Sequence, residues 1–382
     1  MKPPSARRLA AAALVAVGAL LVVGIVVFGL ARNAADSKDY LQYWAAEQLL
    51  AHGGNPYDLP ATLAVEQSAG FKHDSPLISL SPPVAFFFGL PLAWMQANTG
   101  LMAWMLLSIA CMLASVRLVW LLEGRPESRY HLIGVFFPPA LRCLMAGQLG
   151  IFFLLEIALF LYLQEKRPYW AGAALVFLAL KPHLFLVCFL VLLLWSIARR
   201  QLRVLAGFFT ALGVSCALTL ALDRHVWAQY GQMMHSSGIM NDFMPTLGAW
   251  MRFLINRNAR WIEFLPEAAG CIWAVWYFWT RRDRWLWQDH GLLVMVVSLA
   301  VSPYSWYTDQ ALLLPALALG LHESEKSLRS LALFAAIAGA GLVAMLIDIQ
   351  LTSAFFVWTA PGWLAWYAYA RHVRGAVRPA QA

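Results

Sequence analysis

The chain has 382 residues, of which 61% are hydrophobic and only 13% charged, with a net charge of +8. Soluble domains carry about 25% charged residues, so this chain holds more apolar surface than a water-soluble core can hide. It reads as an all-α polytopic membrane protein, because apolar runs of about 20 residues without strict alternation select helices over a barrel. Topology explains the basic balance, and no nucleic-acid partner is expected. Cys111, Cys143, Cys188, Cys216 and Cys271 stand singly in apolar runs, without CxxC spacing, so neither a disulfide framework nor a metal site is expected.

Apolar segments fall at 9–31, 100–122, 131–146, 148–163, 169–181, 183–198, 202–222, 265–280, 286–302, 307–321, 328–349 and 353–370. The first is long for a signal peptide and is read as an uncleaved span. A shorter apolar stretch, 83–97, opens on Pro82-Pro83. If it is interfacial or re-entrant and all other segments cross, most of the 28 Lys and Arg fall on one side, in turns such as Arg125/Arg129, Lys166/Arg167, Arg199/Arg200/Arg203 and Arg281/Arg282/Arg284. The positive-inside rule makes that side cytoplasmic and gives roughly twelve spans. Both termini are then cytoplasmic, and the long outer segments are 32–82 and 223–264. The expectation is one domain, 1–382, in the plasma (inner) membrane, with its chemistry on the outer face.

Asp39 to Leu50 reads as an amphipathic helix ended by Gly53-Gly54, with Asp39, Tyr43 and Glu47 sharing one face. The helix dipole favours an ionised Asp39 in the first turn. Beside two tyrosines it could take a proton from a hydroxyl; the alternative is a capped interfacial helix anchored by Tyr and Trp. Lys181-Pro182-His183 interrupts two apolar runs, and Arg142 and Gln148 interrupt an earlier one. An intramembrane cation needs a partner, so these could form an anion pocket, or the cations could snorkel. Ser302 to Asp309 forms a polar aromatic hairpin that either joins the interfacial belt or stacks on a sugar or polyprenyl chain. Asp223, Arg224, His225, His235, Asn241, Asp242 and Arg252 either bind a headgroup or are simply solvated. P-loop, GxGxxG, HExxH and DxD motifs are absent, and Asp36/Asp39 and Asp283/Asp289 lack metal-site spacing. The basic turns are too short for a nucleotide-sugar domain, so any donor should be lipid-borne.

Asp39-Tyr40-x-x-Tyr43-Trp44-Ala45-Ala46, Gly53-Gly54-Asn55-Pro56-Tyr57-Asp58 and Ser81-Pro82-Pro83 before Pro91-Leu92 resemble motifs of glycosyltransferase family 87, as do Lys181-Pro182 and Ser302-Pro303 with Trp306 and Asp309. The resemblance runs over roughly 35–320. It implies a GT-C fold, with the catalytic acid on the first outer loop. It also implies a polyprenyl-phosphate hexose donor, often mannose, and inverting transfer to a glycolipid or glycan without metal or other cofactor. Asp39 then corresponds to the general base, with Tyr40 where Phe often follows. Lys181, His183 and Arg142 are the expected donor-phosphate ligands. Tyr40, Tyr43, Trp44, Asn55, Tyr57, Tyr304, Trp306 and Asp309 are the expected sugar or acceptor contacts. Two other functions stay open: a lipid-carrier transporter or flippase, and a non-catalytic envelope-assembly protein.

Overall fold

The computed structural model describes residues 33–236 and 244–377. The expected first span, the basic N-terminus, Asn241, Asp242 and Arg378 lie outside the described residues. Among those described the chain is helical without strands. In order, the α-helices are α1 Lys38–Ala51, α2 Leu59–Ser68, α3 Val84–Ala93, α4 Ala97–Leu122, α5 Pro138–Ala146, α6 Gly150–Leu163, α7 Pro168–Ala173 and α8 Pro182–Ala198. They continue as α9 Leu202–Leu222, α10 Val226–Ser236, α11 Leu247–Ile255, α12 Leu265–Arg281, α13 Leu292–Val301, α14 Leu314–Glu323, α15 Leu328–Leu346 and α16 Thr359–Val377.

Three of these, α4, α9 and α15, are long and apolar enough to cross a membrane. Other apolar runs are shorter or broken. The run at 169–181 is α7 followed by the 3-10 turn Val176–Leu180, and the run at 307–321 is the 3-10 segment Tyr307–Leu313 continued by α14. Proline starts several of them at the first helical positions, where its missing N–H costs nothing. At 10 residues, α3 is about 15 Å long, half the hydrocarbon thickness.

The expected amphipathic helix at 39–50 is corrected by the packing. In α1, Tyr40, Leu41, Tyr43, Trp44, Ala45, Ala46, Glu47 and Leu50 are all buried. Helices α2, α3 and α4 cover it from several sides. The polar positions misled the periodicity because they face protein, not water. Glu47 lies on the Asp39 face but two turns further on, where it packs against Gly89 of α3.

The long elements run between two ends of the bundle. At one end Tyr40 reaches the Ala97 carbonyl, Ser302 the His183 carbonyl and Thr246 the Pro303 carbonyl. At the other, Arg199 donates to Asp283, Arg371 pairs with Asp289 and Ser128 meets His322. The basic turns thus gather at the end away from Asp39. Between the ends, α7 and α9 cross at glycine: a Cβ on Gly172 would strike the Val204 carbonyl, and one on Gly207 the Tyr169 carbonyl. Small residues at such a crossing let two backbones touch.

Candidate active site

Asp39 sits in the first turn of α1. Its position depends on the turn between α5 and α6. Gly147 ends α5 with φ +74°, in the left-handed region, and a Cβ there would stand 2.6 Å from the Tyr40 Cβ. Glycine meets both demands, and this presses the following residue, Gln148, against the start of α1. Gln148 hydrogen-bonds the Asp39 side chain, and Gln42 Nε2 donates to Asp39 Oδ1 at 3.1 Å. Lys181, Asp309 and Arg142 lie within electrostatic reach of the same carboxyl.

Burial pushes the Asp39 pKa up from the ordinary carboxylate value to about 6, against smaller opposing effects of Gln148 and Lys181. Burial therefore outweighs the helix-dipole preference for the charged form. A carboxylate poised this close to neutral pH can accept a proton and still be mostly ionised at pH 7.

Lys181 follows the 3-10 turn Val176–Leu180, and Glu156 of α6 holds that turn. Its Oε1 accepts from the Phe177 N–H at 2.7 Å, and Leu178 N–H also bonds the carboxyl. Lys181 Nζ then meets Asp309 Oδ1 at 2.7 Å. The second oxygen, Asp309 Oδ2, accepts from Trp306 N at 2.9 Å. Asp309 is fully buried, so its carboxylate is committed to holding Lys181 and the 302–309 hairpin. Arg142 pairs with Asp348 at 3.1 Å, and the Asp348 side chain is largely exposed.

The His183 ring packs edge-on against Tyr304 at 5.2 Å between centroids, and its Nε2 is buried without a hydrogen-bond partner. Trp306 Nε1 donates to the Tyr304 hydroxyl at 3.2 Å. Tyr43 lies within electrostatic reach of Asp39, Asp309 and Tyr304. One locus therefore gathers Asp39, Tyr43, Arg142, Gln148, Lys181, His183, Tyr304, Trp306 and Asp309.

Other expected contacts stand apart from it. Tyr40 is buried with its hydroxyl on the Ala97 carbonyl, and Trp44 Nε1 donates to the Met95 carbonyl at 3.2 Å. Both hold α1 to the link between α3 and α4. Asn55 Oδ1 accepts from Tyr57 N, and the Tyr57 hydroxyl donates to the Ser81 carbonyl at 2.8 Å. Arg252 is paired with Glu263 at 3.0 Å.

Sequence reasoning missed Gln42, Glu156 and Asp348. Glu156 carried a signal, since a lone acid inside an apolar run demands a partner. Gln42 is one helical turn from Asp39. Asp348 had none, being distant in sequence from Arg142.

The sequence profile of glycosyltransferase family 87 matches residues 80–303, more than half of the chain. The chain belongs to that family, whose members are membrane enzymes. The match begins after Asp39 and ends just before Tyr304, so it covers Arg142, Lys181 and His183 but not the first outer motif. No curated protein matches significantly, and neither does any solved structure.

Proposed function

We propose that the protein transfers a hexose, with mannose the first to test, from a polyprenyl phosphate to a glycolipid or glycan hydroxyl with inversion. The reaction takes place at the outer face of the plasma membrane. Roughly twelve passes, counting the one expected at 9–31, and cytoplasmic termini belong to the same reading. The observation that carries it is the meeting of Asp39 with Arg142 and Lys181, which come from three remote segments.

In the proposed step Asp39 takes the proton of the acceptor hydroxyl. The acceptor oxygen attacks the anomeric carbon and forms the new glycosidic bond. The bond from that carbon to the phosphate oxygen breaks, and its electron pair leaves with polyprenyl phosphate. Negative charge grows on that phosphate, where the cations Lys181 and Arg142 stabilise it, with the His183 Nε2 as a further contact. Lys181 keeps Asp309 as its partner, while Arg142 is the more accessible cation because its partner Asp348 is largely exposed. No cofactor enters the step.

The transporter reading asks for polar groups threaded through the bilayer; here the catalytic-type cluster gathers at one end. The test is transfer of labelled hexose from polyprenyl-phosphate donors to membrane glycolipids, wild type against Asp39→Asn. Transfer lost in the variant supports the reading. Absence of transfer by folded wild type supplied with native lipid extract sinks it.

A further inference from the structure

We propose that the segment from Thr246 to Leu265 is an in-plane membrane anchor, its apolar face set into the lipid on the Asp39 side of the bundle. The placement needs no assumption about catalysis. Both ends of the segment lie on that side. Thr246 donates to the Pro303 carbonyl at 3.1 Å. Leu265 starts α12, whose 17 residues run about 26 Å to the basic end, where the Asp283 carbonyl accepts from Arg199. Between these points the chain folds back on itself: a Cβ on Gly248 of α11 would strike the carbonyl of Glu263, in the 3-10 turn Arg260–Phe264. A hairpin that leaves and returns at one level does not cross a bilayer. It lies either in water above the bundle or in the plane of the lipid.

The burial pattern decides between the two. A surface helix in water turns its apolar stripe inward and its polar face outward. In α11 the order is reversed. Every exposed residue in it is large and apolar: Trp250, Phe253, Leu254 and Ile255, the last two 65% and 66% exposed. Residues 250, 253 and 254 share one helical face, and the Trp250 and Phe253 rings stack at 5.9 Å. The inner side holds Gly248, Ala249 and Arg252, and the Arg252 charge is matched by Glu263 at 3.0 Å. The 3-10 turn adds to the same patch, with Ile262 buried and Trp261 and Phe264 exposed. A contiguous apolar patch of this kind marks a protein or membrane contact.

Continuity and charge name lipid as the occupant. The exposed face runs on into α12 as Leu265, Ile272, Trp276 and Trp279. These share one face of a helix that hydropathy reads as a span, so the hairpin adjoins a surface that lipid covers. Trp at such a junction suits the headgroup level. At the tip, Asn256 Oδ1 accepts from Asn258 N at 3.0 Å, and the exposed Arg257 guanidinium lies over the Phe253 ring at 3.9 Å. An arginine laid along an apolar ring can reach lipid phosphates with its charged head. Apolar side chains thus meet acyl chains while the polar tip meets headgroups, the division of an interfacial helix. Because Thr246 is bonded to Pro303, the anchor also sets the height of the 302–309 hairpin in the bilayer.

The experiment places the photoreactive residue p-benzoylphenylalanine at Leu254, Ile255 or Trp261, one at a time, in the full-length protein. Each variant is reconstituted in nanodiscs of phosphatidylethanolamine and phosphatidylglycerol. Lys72, exposed in the first outer loop, is the control position. After irradiation, mass spectrometry should find at least about tenfold more lipid adduct at the three positions than at Lys72, since such a face sits about 5–10 Å into the headgroup–acyl boundary. Only protein that elutes as a folded, monodisperse particle is irradiated, and three exposed positions guard against one variant that misfolds. Lipid adduct no higher than at Lys72 puts the hairpin in water and overturns the proposal. Crosslinks between two chains in place of lipid adducts give the face to a second copy and overturn it equally.

Discussion

A carboxyl held by Gln42 and Gln148 in a half-buried site pays for its place in protonation. Asp39 titrates near 6 because burial disfavours its charge. A base must be ionised to work, so the transfer rate should fall as pH drops through about 6, with an apparent pKa near that value in kcat/KM. A rate that stays flat down to pH 4.5 would remove Asp39 as the titrating base. The same shift affects stability with the opposite sign. A raised folded pKa favours the protonated fold, so this contribution is complete below the ordinary carboxylate value and is lost as pH rises through about 6. Replacing the base with Asn should lower kcat by about 10²- to 10⁴-fold, the usual range for general-base catalysis. Lys181 and Asp309 make a different residue-scale prediction. Removing one member of a buried pair typically costs about 3–5 kcal/mol, because the other charge is stranded. Lys181→Met should therefore melt well below wild type, and Lys181→Met with Asp309→Asn should recover much of the loss. The Asn keeps an oxygen for Trp306 N. Equal melting of the single and double variants would show that the pair is not coupled.

Among the elements, the α5–α6 turn and the 3-10 turn before Lys181 do the positioning. Gly147→Ala adds a left-handed penalty of about 1–2 kcal/mol to a collision with Tyr40, for which overpacking costs about 1–3 kcal/mol more. It should lower the melting temperature and reduce transfer together, since α1 and Gln148 move apart. Glu156→Leu leaves the Phe177 N–H without its acceptor, at about 1–3 kcal/mol for an unsatisfied group, while the Leu178 N–H keeps the Leu175 carbonyl. Glu156→Gln keeps one acceptor oxygen and should be milder in both melting and kcat. If Glu156→Leu matched wild type in both, the 3-10 turn would not depend on this contact.

Across the whole molecule, the two ends of the bundle differ in charge. The basic turns meet at one end and the Asp39 cluster occupies the other. If the positive-inside rule holds, a membrane-impermeant thiol reagent on intact cells should label Asp58→Cys in the first outer loop. It should leave Glu127→Cys untouched until the membrane is opened. The reverse pattern would put the site on the cytoplasmic face and remove the argument for an outer-face donor. Both positions are exposed, so silence at Glu127 cannot come from burial within the fold.

The sequence by itself determined that the chain is helical and apolar, where most of its helices lie, and which residues are chemically out of place. Hydropathy and charge are local properties, and a carboxylate or a lysine amid apolar residues stands out in the chain alone. Asp39, Arg142 and Lys181 were legible for that reason. The tertiary structure alone decided which of them meet. It put Asp39 beside Gln148 through one left-handed glycine, paired Lys181 with Asp309 and Arg142 with Asp348, and buried much of the α1 surface to which periodicity gave a wet face. It also turned Tyr40 and Trp44 into packing residues. Each outcome depends on contacts between segments far apart in sequence. Such contacts are set by the shapes of packed helices, and those shapes leave no periodic trace along the chain.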